Sequence, residues 1–356
     1  MRRANLRASR CCKLKTGTPT SLRARTAIAI IALLAVSACA REPSSHANEA
    51  YLWQRLWTPA VNAALAAQQA EFAGWRVLGL QVIGAELIGA QPDLAALAAA
   101  AKPTRLVVRI EGARVPIAVP ALMAELQPLI ERWRVAGVTL TGIEIDHDCA
   151  TAALADYSRW LLALRAALAA DLKLSITALP SWLASADLDP VLAAVDDSVL
   201  QVHAVERPDG ALFDPERALA WTRAYAERTP GEFWVALPAY SVRVATDAEG
   251  RIRAVDAEAD VERSGPGGRE LRADPRAVAD YLARIGDAEP AKLRGFLWFR
   301  LPVTGDRRGW SATTLAAVIG RTPLSARFSV SATMNASGSY DLRRSEEHTS
   351  ELQSLA

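Results

Sequence analysis

The stretch Gly142-Ile-Glu-Ile-Asp-His-Asp-Cys-Ala150 places three carboxylates, Glu144, Asp146 and Asp148, at alternate positions. Alternate side chains of an extended strand share one face. Ile143 and Ile145 take the other face, so an apolar side turned toward packed helices leaves the acids pointing inward. An ion buried without partners costs several kcal/mol even after relaxation. The three acids must therefore be paired, protonated or in use, and closely spaced carboxyls with displaced pKa values are the groups that carry general acid and base chemistry. Asp148 stands at the C-terminal end of its strand. A bland reading is a buried ion-pair ladder with Arg109 or Arg300, and it is compatible with a structural Glu144 beside a functional Asp148.

The elements that must position these acids repeat along the chain. Short apolar runs begin at Tyr51, Arg76, Arg105, Val138, Leu172, Ser198, Phe233 and Gly295, and each leads into an amphipathic pattern. Those patterns lie near residues 59–73, 91–101, 120–136, 151–170, 189–195, 215–229, 274–286 and 311–319. Alternation of this kind predicts parallel βαβ units. Eight of them over residues 51–322 predict a closed (β/α)8 barrel of the TIM type. A doubly wound sheet is the runner-up, but no Gly-rich phosphate loop follows an early strand. Residues 247–270, polar and Gly-rich, read as a loop or hairpin inserted after strand seven.

The flanks differ from the barrel. Residues 1–38 hold eight of the 41 Lys and Arg and none of the acids, and end in a short apolar run from Thr26 to Ala38. That run falls short of the ~20 apolar residues a membrane span needs, and the segment reads as a secretory signal. Val36-Ser37-Ala38-Cys39 resembles a bacterial lipobox, which implies lipidation of Cys39, a linker over 39–50 and a membrane partner through that lipid on the periplasmic face of the outer membrane. Without the signal the net charge becomes about −6, which argues against nucleic acid as a partner. Residues 323–343 alternate like the start of a β segment. Residues 344–356, beginning Arg-Ser-Glu-Glu-His-Thr-Ser-Glu-Leu-Gln-Ser, resemble a translated sequencing adapter and are expected to carry no function.

Among other candidates, His203 shares parity with Gln201 and points inward, as a site residue or as a satisfied core histidine. His147 alternates away from the acids and reads as a packing group. Cys149 lacks an evident base and reads as a small buried residue. No histidine or cysteine spacing supports a metal site, and no cofactor fingerprint occurs. Trp182, Tyr240 and Trp298 lie near three strand ends, where flat rings with a polar edge suit pyranose faces; together with Arg300 they are the substrate-binding candidates.

These motifs resemble a known family. Thr141-Gly-Ile-Glu-Ile-Asp-His-Asp148 is similar to the strand-four signature of family 18 glycoside hydrolases, the chitinase-like barrels, and "SITALPS", "VALPAYS" and "GFLWFRLP" resemble that family's strands five, seven and eight. The chain as a whole resembles bacterial lipoproteins of the domain of unknown function 3142. The resemblance implies a carboxylate acid/base site acting on a glycan, with Asp148 as proton donor, Asp146 as the group that orients the substrate and Glu144 as an inner acid. Thr141, Glu144 and Asp148 depart from the family's residue types, and strand six offers His203 and Ala204 where the family has tyrosine and aspartate. Those departures weigh against assistance by an N-acetyl group and leave direct hydrolysis by two carboxyls open. The expected protein is an envelope-anchored, glycoside hydrolase-like lipoprotein; the alternative is a non-catalytic glycan-binding or structural barrel.

Overall fold

The computed structural model describes residues 46–350, except 116, 206–209, 258–267, 288–289 and 335–339. The signal segment, Cys39 and residues 351–356 lie outside the described residues.

Eight parallel strands close the barrel: β1 (Ala47–Leu52), β2 (Gly74–Ile83), β4 (Thr104–Ile110), β5 (Leu140–His147), β6 (Lys173–Ala178), β7 (Asp197–Gln201), β8 (Phe233–Pro238) and β12 (Leu293–Phe299). Closure is made by β1, which pairs in parallel with both β12 and β2. At that seam Gly295 sits where any Cβ would collide with the backbone of Ala47 and the ring of Trp234. Helices follow the strands: α1 (Pro59–Gln68), α2 (Leu94–Ala100), α3 (Val119–Val135), α4 (Leu154–Ala167), α5 (Leu188–Ala193), α6 (Pro215–Arg228), α7 (Pro275–Asp287) and α8 (Ala312–Ile319). Capping fixes several starts. Asp93 accepts from the Ala96 amide before α2, and Asp214 accepts from the amides of Glu216 and Arg217 before α6. The (β/α)8 reading thus holds, although the first strand begins at Ala47 and not at Tyr51.

Strand parity divides the apolar residues into two cores. Ile143, Ile145, Leu174, Ile176, Val235 and Leu237 face the helices in the larger cluster. Tyr51, Leu78, Val107, Val199, Trp234, Ala236 and Leu297 fill the barrel interior. Toward the N-terminal end that interior is polar. The fully buried Arg76 guanidinium bonds Glu49 at 2.7 Å and pairs with Glu144, whose other oxygen accepts from Tyr51 Oη at 2.6 Å. Ser175 donates to Asp197 at 2.7 Å, and Arg105 holds the same carboxylate. Arg76 also lies 5.7 Å from the centre of the Trp234 ring. The foreseen ion-pair ladder therefore exists in part: Arg109 pairs with Asp146 and Asp148, whereas Glu144 takes Arg76 on β2 and Arg300 turns to Asp306.

Three additions decorate the barrel. A short β3 (Glu86–Gly89) folds back antiparallel on β2. The expected insertion after strand seven is a three-stranded antiparallel sheet of β9 (Ser241–Thr246), β10 (Ile252–Asp256) and β11 (Arg269–Arg272), with β9 central. After α8, β13 (Leu324–Met334) and β14 (Tyr340–Ser350) form an antiparallel hairpin, so the β segment read at 323–343 runs on into the adapter-like stretch.

Candidate active site

A cleft of about 520 Å³ opens over the C-terminal ends of the barrel strands. Its floor comes from the last inward positions of β2, β4 and β5. Gln81 pairs in register with Arg109, and Arg109 with Asp146, so the three form one interior layer. Glu111 and Asp148 follow two residues further along their chains, at the mouth. Val242 of β9 and Val255 and Asp256 of β10 line the cleft from the inserted sheet.

Arg109 binds both aspartates. Its Nη1 lies 3.1 Å from Asp146 Oδ1 and its Nη2 lies 2.5 Å from Asp148 Oδ2. The environments of the two acids differ sharply. Asp146 is buried, whereas the Asp148 side chain is 46% exposed. Burial pushes the Asp146 carboxyl up to about 6; Arg109 opposes that rise, and the neighbouring charges of Asp148 and Glu144 add to it. A buried carboxyl of raised proton affinity beside a half-exposed one is an arrangement from which an acid and its partner can be drawn.

The raised affinity has a stability consequence with a definite sign. Native Asp146 holds its proton to a higher pH than the unfolded chain, so its ionisation destabilises the fold progressively as pH rises from about 4 to 6. Asp146→Asn is accordingly expected to raise stability at neutral pH by roughly 1–3 kcal/mol, and to change it little below about pH 4. Melting curves at the two pH values check this; equal shifts at both would remove the charge explanation.

The opposite wall is aromatic and neutral. His203, just beyond β7, is buried, and burial lowers its pKa to about 3, which keeps the imidazole uncharged. Its Nδ1 lies 3.4 Å from Tyr240 Oη, while its Nε2 has no partner among the described residues. Phe299 stacks against His203, Tyr240 and Trp53 with ring centres 5.0–6.0 Å apart. Gln201 lines the same wall and donates to the His203 carbonyl at 3.0 Å.

Asp146, Asp148, His203 and Tyr240 therefore meet in one cleft. Glu144 does not reach it, being fully buried one layer below on Arg76 and Tyr51. Trp182 and Trp298 are not cleft residues. Each is completely buried on the helix side, Trp182 donating to the Cys149 carbonyl at 2.8 Å and Trp298 to Asn48 Oδ1 at 2.9 Å. Arg300 is also buried and turned to Asp306, with bonds of 3.0 and 2.7 Å that tie down the loop before α8. His147 packs against Tyr157 and bonds the Ile110 carbonyl, and burial raises the Cys149 thiol to about 11, which leaves it unreactive. Among the described residues no group of His, Cys, Asp and Glu is arranged to hold a metal ion.

Among the cleft residues missed in the sequence are Trp53, Gln81, Glu111 and Phe299. Three of these had a signal in strand parity. Trp53 follows Tyr51 by two positions, Glu111 follows Arg109 by two, and Phe299 follows the inward Leu297 by two.

The elements described define a closed, parallel (β/α)8 barrel with acids at the C-terminal ends of its strands and an inserted antiparallel sheet at the rim. Solved structures agree on the fold. The chain is similar to the spore cortex-lytic enzyme SleL of Bacillus cereus, with a TM-score of 0.52 at 13% identity over 74% of this chain and 72% of that one. It is also similar to a chitinase from Chromobacterium violaceum, with 0.53 at 15% over 78% and 98%, and to one from Bacteroides thetaiotaomicron, with 0.53 at 12% over 78% and 96%. The chain belongs to the family described as domain of unknown function DUF3142, whose model matches residues 100–304. No curated protein sequence matches it.

Proposed function

We propose that this protein is an envelope-anchored, glycan-cleaving enzyme in which Asp148 and Asp146 supply the acid and base chemistry. The observation that supports this best is the pair itself. One arginine holds two carboxyls of a cleft, one buried at its floor with its pKa raised to about 6 and the other half-exposed at its mouth. In this reading Asp148, the member that a substrate can touch, protonates the glycosidic oxygen, and the leaving sugar departs as an alcohol. Water adds at the anomeric carbon and gives its proton back to the carboxylates, which restores the starting state. Asp146 holds the second charge, and Arg109 keeps both side chains in one orientation. His203 and Tyr240 face the pair as neutral hydrogen-bonding groups, and Trp53 and Phe299 offer ring faces to a pyranose.

The test is release of new reducing ends from a panel of polysaccharides across pH. Because the donor must carry a proton, the rate should fall as pH rises from the acid to the neutral range. A rate that climbs steadily through that range would exclude this assignment.

One observation favours a second reading. Arg109 pairs with both aspartates at once and opposes protonation of Asp146, and a site clamped by that pairing would bind a glycan without cleaving it.

Anchoring rests on the lipobox-like residues ending at Cys39. Cys39→Ser is expected to move the protein from the membrane to the soluble fraction on cell fractionation. Unchanged partitioning would remove the lipid anchor.

A further inference from the structure

The floor of the cleft holds hydrogen-bonding capacity that the acid pair does not use. Arg109 is committed to Asp146 and Asp148. Glu111, next to them at the mouth, has no ion-pair partner among the described residues. Gln81 is only 5% exposed, yet its side chain borders the cleft and finds no hydrogen-bond partner among the described residues. A ligand group that met the Gln81 amide would gain a hydrogen bond at a position shielded from most of the solvent.

The charge of the lining narrows what the ligand can be. Among the described residues of the lining, four carboxylates, Glu111, Asp146, Asp148 and Asp256, face two guanidiniums, Arg55 and Arg109. A sugar acid placed beside Glu111 would meet like charge, and an N-acylated sugar would present only a neutral amide. An ammonium group suits both residue types, since it donates to a carboxylate such as Glu111 and to an amide oxygen such as that of Gln81. Gln81 stands in the same interior layer as Asp146, which puts this subsite beside the acid pair.

We propose that Gln81 and Glu111 form a subsite for a protonated, non-acylated amino sugar, making the preferred substrate class a glycan that carries free amines. This rests on the glycan reading given above. The experiment is calorimetric binding of glucosamine and N-acetylglucosamine oligomers of equal length to the wild-type chain and to Glu111→Gln, at a pH where the free amines are protonated. Wild type is expected to bind the glucosamine oligomer about tenfold more tightly or better, and Glu111→Gln should bring the two affinities to within about twofold. Equal wild-type affinities, or a preference for the acetylated oligomer, would overturn the subsite and leave the glycan reading standing. If neither oligomer binds while another glycan is cleaved, the subsite alone fails; if no glycan is bound or cleaved, both readings fail. The wild-type comparison decides the matter even where the variant folds poorly.

Discussion

Asp148→Asn is expected to lower the rate of glycan cleavage by about 10² to 10⁴, the range that a positioned general acid contributes, while leaving glycan affinity nearly unchanged. The amide keeps the shape of the carboxyl but has no proton to give at any pH in the working range. Because the Asp148 side chain is 46% exposed and Arg109 retains Asp146, the cost to stability should stay below about 1 kcal/mol. The substitution therefore separates chemistry from folding. A fall in rate accompanied by a large fall in melting temperature would mean that Asp148 holds the mouth of the barrel together, not that it transfers a proton. Removing Arg109 would be a poorer test, since it would strip the partner from two carboxyls at once.

The largest stability effect is expected one layer below, at Arg76→Met. The methionine approximates the aliphatic part of the arginine but leaves Glu144, fully buried, with only the Tyr51 hydroxyl, and leaves Glu49 without its cation. Removing one partner from a buried ion pair costs about 3–5 kcal/mol, because the remaining charge has no water to return to. For a domain of this size that corresponds to a fall in melting temperature of roughly 10 °C. Adding Glu144→Gln to Arg76→Met should recover part of the loss, since it removes the stranded charge. If Arg76→Met melts with wild type, or if the second substitution lowers stability further, the ladder does not hold the interior in the way the geometry indicates.

Much of this architecture was legible because a barrel strand buried on both faces writes a strong period-two pattern between amphipathic helices. Ile143 and Ile145 against Glu144 and Asp146 is that pattern in its clearest form, and the structure places the isoleucines among the helices and the acids inside. What failed was the step from position along a strand to the face of the strand. Trp298 and Phe299 are adjacent, and only Phe299 shares the inward parity of Leu297; the larger ring drew attention to the wrong face. Trp182 lies beyond β6, where parity no longer applies, and its indole is used to hold the loop that carries Asp148 and Cys149.

Gln81 was harder to find. Counting alternate positions from Arg76 and Leu78 puts Leu80 and Val82 inside, but the pairing of β2 with β4 shifts between Leu78 and Leu80. That irregularity inverts the faces, sending Leu80 and Val82 to the helices and Gln81 to the cleft. Gly79, where a Cβ would collide with Leu106, stands at that shift, and an isolated glycine within a strand pattern is the one mark it leaves in the sequence. The cation for Glu144 was also missed for a geometric reason. Parity shows that Arg76, Arg105 and Arg109 all point inward, but which of them reaches a given acid depends on the tilt and stagger of the strands, which only the folded barrel fixes. Depth then separates the roles of the three acids. Glu144 is neutralised by Arg76 inside the barrel, Asp146 is buried at the floor of the cleft, and Asp148 is open to a ligand.

The central claim is that the Asp146–Asp148 pair cleaves a glycan, and binding and cleavage of the same glycan by wild type and Asp148→Asn test it together. Wild type is expected to bind the glycan and release reducing ends, and Asp148→Asn to bind it with similar affinity and release almost none. Binding by both proteins with cleavage by neither would contradict the account and make this a glycan-binding barrel, and equal cleavage by both would place the proton donor elsewhere.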